Sequence, residues 1–251
     1  MSPLNAGLLV ALGLIPSFVW MSFFYKRDCH PEPKYLITKT FLMGIIISPF
    51  AVLFQLGFTH INQWISVDYF NPSSSMFFLW ASFVEELVKF YAVRIIAFKD
   101  PAFDEPMDAI IYMMMAGLGF AAIENILVLF RTIPDGLNSA MTVWGLRFVG
   151  ATLLHALSSG LFGYFLALSW FSRKHAKKFV FLGLGVATLF HFAFNAFLAS
   201  SMNQSHGLVW ATGLLVVMSF LVYILFDKIR DRSPKNTIRL SPAAEKEIST
   251  A

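Results

Sequence analysis

"MFFLWASFVEELVKFYAVRIIAF", Met76–Phe98, has the length and apolar character of a membrane-spanning helix, yet it carries Glu85, Glu86 and Lys89 near its middle. A charge at the centre of a membrane helix costs roughly 2.5–3.5 kcal/mol on an insertion scale, so such groups usually face a bundle interior and find partners there. Whether this stretch crosses a bilayer therefore decides the fold. The composition favours crossing: 57% of the chain is apolar and 14% charged, where a soluble domain is about a quarter charged.

Outward from that stretch, further runs of about 20 apolar residues lie at 4–25, 38–57, 107–130, 148–171, 179–200 and 207–226. The expected fold is all-α, a polytopic membrane protein of about seven transmembrane helices. Lys and Arg collect in alternate loops: Lys26, Arg27, Lys34 and Lys39, then Arg94 and Lys99, then "SRKHAKK" (Ser172–Lys178), then Lys228 to Lys246. The opposite loops hold little positive charge beyond Arg131 and Arg147. The positive-inside rule then gives an N-terminus outside and a C-terminus inside. The basic balance is an orientation signal, and nucleic acid is not an expected partner. No Lys or Arg precedes the first run, which is read as a retained span and not a cleaved leader.

Residues 1–226 are read as one integral membrane domain with its motif-bearing core at about 76–200, and 227–251 as a polar, disordered cytoplasmic tail. The lone cysteine, Cys29, excludes an intramolecular disulfide and a cysteine-built metal cage.

With the spans drawn, the intramembrane polar residues form a short set: "EELVK" (Glu85, Glu86, Lys89), "FAAIEN" (Phe120, Glu124, Asn125), "HALSS" (His155, Ser158, Ser159) and "HFAFN" (His191, Asn195). Residues four apart share a helix face, so Glu85/Lys89, His155/Ser159 and His191/Asn195 are each expected to present a polar ledge. At 1.5 Å per residue from the outer helix ends, Glu85 and His191 sit roughly 14 Å deep and Glu124 and His155 about 10 Å. Glu85/Lys89 has a plainer, less favoured reading as an i,i+4 ion pair that holds the bundle together, whereas His155/Ser159 or His191/Asn195, taken singly, is more often interhelical hydrogen-bond glue than chemistry. The shared depth, on helices of opposite direction, is what points to one cavity on the extracytoplasmic side. Gly117, Gly119, Gly160 and Gly163 are expected to let helices approach closely, and Met113–Met115 to pack.

Two glutamates near two imidazoles, an ammonium and amides contain the parts of a water-activating hydrolase. One carboxylate takes a proton from water, a neighbouring acid returns it to the leaving amine, and N–H groups hold the oxyanion. In their order on successive helices, "EExxK", "FxxxEN", "HxxxS" and "HxxxN" resemble the PrsW intramembrane proteases, within the clan that includes the CAAX-prenyl endopeptidases. The resemblance covers about residues 76 to 200. It implies Glu85 and Glu86 as the catalytic pair, with Glu85 the base, Lys89 closing the first motif, His155 orienting water or shuttling a proton, and His191 with Asn195 binding the oxyanion. Position 124 departs from the CAAX enzymes, whose second motif is FxxxH, and leaves Glu124 as catalytic, structural or a partner for His155. Phe120, Asn125 and Ser159 would support the site. The family's activity implies an extracytoplasmic cut in a single-pass membrane protein such as an anti-sigma factor, in a bacterial plasma membrane.

No cofactor is expected. The nearest rival mechanism uses zinc held by Glu85, Glu124, His155 and His191, although "HExxH" is absent and "IPDG" (Ile133–Gly136) reads as a turn. A serine protease built on His155 and Ser159 lacks a third member. A proton- or ion-coupled transporter is the rival of another class, against which stands the lack of an inverted repeat. The sequence leaves the oligomeric state open.

Overall fold

The computed structural model describes residues 3–27, 30–65, 74–201 and 206–232. Cys29 and residues 233–251 of the expected tail lie outside them. The described residues are helical, with no strand among them: α1 (Pro3–Tyr25), α2 (Lys34–Ile65), α3 (Ser75–Ile96), α4 (Pro106–Thr132), α5 (Leu137–Val149), α6 (Ala151–Phe171), α7 (Ala176–Ser201) and α8 (His206–Arg230). In lipid no water can satisfy a backbone amide or carbonyl, which leaves helices as the economical way for such apolar runs to cross. α1, α2, α4, α7 and α8, and α5 together with α6 (Leu137–Phe171), combine the length and apolarity to span a membrane. α3 is also long enough, and its charges alone set it apart. The protein is thus an all-α, multi-span membrane protein.

α4 is the central helix. It packs on α1, α2, α3 and α6, and from Pro106 to Ala122 every residue is buried, Met113–Met115 completely. Small residues make this possible. A Cβ on Gly119 would collide with the backbone oxygen of Phe41 in α2, and one on Gly117 would lie 2.6 Å from both the carbonyl oxygen of His155 and Ser159 Oγ in α6. The second of these crossings brings the α6 polar residues against α4. Large apolar side chains on the outer helices face outward, among them Leu53, Val209 and Phe220. In water that surface would be an aggregation hazard, and in a bilayer it is the solvated surface.

One element differs from expectation. The segment between the fourth and fifth spans forms α5, which starts after Gly136 (φ 108°) and stops at Gly150, where α6 begins. The apolar run at 148–171 therefore begins in the last two residues of α5 and continues as α6, the second part of a helix broken at Gly150. α5 is held against α1 by two indole bonds, Trp144 Nε1–H to the Leu12 carbonyl (2.8 Å) and Trp20 Nε1–H to the Phe148 carbonyl (2.9 Å).

Candidate active site

The four polar clusters converge. α3, α4, α6 and α7 bring Glu85, Glu86, Lys89, Glu124, His155 and His191 into one network, in which all but Glu124 are almost wholly buried. Ser74 caps α3 by accepting the Phe77 N–H at 3.1 Å, and the helical repeat then directs Glu85, Glu86 and Lys89 inward.

Glu86 is the saturated carboxylate. Its Oε1 accepts from Lys89 Nζ (2.7 Å), Ser158 Oγ (2.8 Å) and His191 Nδ1 (2.9 Å), and its Oε2 from Ser159 Oγ (3.4 Å). The expected Glu85/Lys89 ledge is corrected here: Lys89 pairs with Glu86, three residues earlier, because its ammonium turns toward α6 and reaches His155 Nδ1 at 2.8 Å. It also lies 4.9 Å from the centre of the Phe120 ring, an added cation–π contact.

These contacts fix the imidazoles. An ammonium has only protons to offer, so His155 Nδ1 accepts from Lys89 and its Nε2–H donates to Glu124 Oε2 (3.0 Å). Glu124, at the same oxygen, also accepts from Arg147 Nη2 (2.9 Å), while Arg147 Nε donates to Asn125 Oδ1 (2.7 Å) and Asn125 Nδ2 to Thr152 Oγ1 (2.9 Å). His191 donates Nδ1–H to Glu86, which turns Nε2 toward Glu85 Oε2 at 3.4 Å. The two imidazoles meet edge to face, 5.0 Å between centres.

Glu85 differs from its neighbour. Its Oε1 accepts from Gln55 Nε2 of α2 (3.0 Å), and its Oε2 is buried with no hydrogen-bond donor. When His191 is neutral and its Nδ1–H is donated to Glu86, two acceptors face each other across the gap, the His191 Nε2 lone pair and Glu85 Oε2. Such a pair is stable only around something electropositive: a proton, a water hydrogen or a metal ion.

Every sequence-derived site residue on α3, α4 and α6 is in or beside this network. Asn195 stands apart, its Nδ2 bonded to Ser82 Oγ (3.4 Å) and not to the carboxylates. Sequence reasoning missed Gln55 and Arg147. Gln55 is an amide inside an apolar run, and Arg147 was the exception in the charge pattern; each was a visible signal. Neither could be assigned to the site until α2 and α5 were placed in space.

A donor set for a metal is present. Glu85, His155 and His191 each offer a ligand atom, all within 4.8 Å of one another. His191 has the arrangement common in ligating histidines, its second nitrogen held by a carboxylate, here Glu86. His155 would have to release Lys89 or Glu124 to join. Glu124 is committed to Arg147 and His155 and falls outside that group of three.

A lipid-facing helical bundle whose interior holds a network of carboxylates, imidazoles and an ammonium has the make-up of an intramembrane enzyme. Residues 32–225 match the family model for the PrsW family intramembrane metalloprotease, and the chain belongs to that family. Among its relatives, Protease PrsW of Bacillus subtilis is 28% identical over 239 residues, 92% of this chain and 99% of the relative. Protease PrsW of Clostridioides difficile is 27% identical, covering 88% of this chain and 90% of the relative. No solved structure matches the chain. The protein is an intramembrane protease.

Proposed function

We propose that the protein hydrolyses a peptide bond in a single-pass membrane protein, such as an anti-sigma factor, near the extracytoplasmic face of a bacterial plasma membrane. The observation that carries this is Glu85 Oε2, a buried carboxylate oxygen without a hydrogen-bond donor, 3.4 Å from Nε2 of His191. Water placed between them gives one proton to Glu85 as its oxygen adds to the scissile carbonyl carbon. When the C–N bond breaks, the proton passes from Glu85 to the departing amine. Glu86 does not compete for it, since its lone pairs are engaged by Lys89, Ser158, Ser159 and His191. Its role is to hold His191 in the tautomer with Nε2 free. His155, anchored between Lys89 and Glu124, holds the opposite wall. Asn195, half-exposed on the helix that carries His191, supplies an N–H for the oxyanion once it leaves Ser82.

The family's description as a metalloprotease gives the same residues a second task. Glu85, His155 and His191 fit as the holders of a metal ion, the donorless oxygen of Glu85 being the strongest sign. Such an ion, when bound, polarises the carbonyl and acidifies water. The outward-facing position rests on the charge bias of the loops and on the common depth of the four clusters.

The test is co-expression of tagged single-pass membrane proteins with the wild type or with Glu85→Gln, followed by mapping of the cut. A fragment that requires Glu85 and ends near the outer face is the expected result. Identical fragments from both forms would remove Glu85 from the mechanism. Metal analysis of the purified protein, with activity measured after chelation, separates the two tasks: full activity in a metal-free sample overturns the metal-bound form.

A further inference from the structure

A second group of acids lies at the far end of α4. Glu32, in the segment between α1 and α2, meets Glu105 and Asp108 at the start of α4, and all three are buried (5%, 4% and 0% exposed). Each offers a carboxylate oxygen, and the three lie within 4.8 Å of one another. Asp108 and Glu124 are roughly 24 Å apart along the helix at 1.5 Å per residue, so this group is separate from the candidate active site. None of its three carboxylates takes part in the proposed hydrolysis.

The side chains are held for convergence. Asp108 Oδ2 accepts the backbone N–H groups of Asp104 and Glu105, each at 2.8 Å. That fixes the carboxylate; Oδ1, fully buried, receives no N–H or hydroxyl donor, and the side chain lies within hydrogen-bonding reach of Glu32. Glu32 is fixed from two directions: Tyr112, itself buried, donates its hydroxyl to Oε2 at 2.5 Å, and the Tyr25 hydroxyl donates to the Glu32 carbonyl at 3.2 Å. Pro31 and Pro33 restrict the backbone on either side of Glu32, and Pro106 does the same after Glu105. At the rim, His30 Nδ1 stands 3.4 Å from Glu105 Oε1.

We propose that Glu32, Glu105 and Asp108 bind a hard divalent cation, Mg²⁺ or Ca²⁺, which ties the segment before α2 to the start of the central helix. The reason is charge together with donor type. Three carboxylates at this separation repel one another, burial deprives them of water, and an oxygen-only set selects hard cations over zinc or copper. Asp108 Oδ1 is the ligand position that the protein's own donors leave unused. In this role the cation acts on the structure: it sets where α2 begins relative to α4, and α2 carries Gln55, the partner of Glu85.

The experiment is calorimetric titration of the EDTA-treated full chain in detergent with CaCl₂ and, separately, MgCl₂, in a Glu85→Gln/His191→Ala background that disables the other group. The expected result is saturable binding of about one ion per chain, as a cage of three carboxylates supplies. Tyr112→Phe, which frees Glu32 from its donor, should weaken binding roughly 10–100-fold. Asp108→Asn should abolish it. Should Asp108→Asn fail to fold, Glu32→Gln and Glu105→Gln carry the same test, with helicity checked by circular dichroism. The comparison of the two salts identifies the ion. Absence of saturable binding to either cation, or binding undiminished in folded Glu32→Gln, Glu105→Gln and Asp108→Asn, overturns the proposal. Binding seen in the wild type but lost in the Glu85→Gln/His191→Ala background also overturns it, since the ion would then belong to the other group.

Discussion

Replacing Lys89 with Met removes the cation that touches both Glu86 and His155 while keeping an apolar stem of similar length. The ammonium is wholly buried, 2.7 Å from Glu86 Oε1 and 2.8 Å from His155 Nδ1. Breaking a buried pair from one side leaves an uncompensated charge, which costs about 3–5 kcal/mol. For a chain of this size each kcal/mol lowers the melting temperature by about 2–4 °C, so the expected fall is roughly 6–20 °C. The assay is thermal unfolding of the purified variant in detergent, followed by circular dichroism. Lys89→Met/Glu86→Gln is measured beside it, because neutralising the stranded carboxylate should recover much of the loss without restoring proteolysis. The surviving donors to Glu86, from Ser158, Ser159 and His191, temper the penalty and do not remove it. A loss under about 1 kcal/mol in Lys89→Met, or no recovery in the double variant, would refute the buried pair as the centre of the network.

Arg147→Ala should lose roughly 1.5–3 kcal/mol of stability, since bonds to charged groups are the stronger ones, together with most proteolysis, because Glu124 would no longer be held against His155. Arg147→Lys should recover little, an ammonium being unable to serve Glu124 and Asn125 with the fork of a guanidinium; full recovery would show that charge alone matters. Gly119→Val should fail to accumulate as folded protein, as its side chain meets a backbone oxygen of α2 that cannot step aside. Gly185→Ala, exposed and with nothing within 4 Å of the added carbon, should stay within about 0.5 kcal/mol of wild type. Equal expression and melting of the two glycine variants would count against the close α2–α4 crossing.

Which residues matter could be read from the chain because a bilayer makes polarity conspicuous. Glu85, Glu86, Lys89, Glu124, His155 and His191 are costly in hydrocarbon, and that cost marks them before any fold is known. The helices were legible for the same reason, since a long apolar run in lipid has few alternatives. α5 was not, because its thirteen residues fall short of a span and resemble a loop by length. Arg147 followed it into error: counted as a loop charge, it is a partner of the site. Gln55 carries no charge and raised no alarm.

Sequence periodicity can say which residues share a helix face, but it cannot say which way a flexible side chain turns. By spacing, Lys89 belonged with Glu85; the approach of α6 gave it to Glu86 and His155 instead. That choice leaves Glu85 Oε2 without a hydrogen-bond donor, 3.4 Å from His191 Nε2. The sequence by itself determined the all-helical membrane architecture and the inventory of interior polar groups, because both follow from the energy of transfer into lipid. The tertiary structure alone decided how those groups pair, which carboxylate is saturated and which is free, because pairing depends on contacts between helices far apart in the chain.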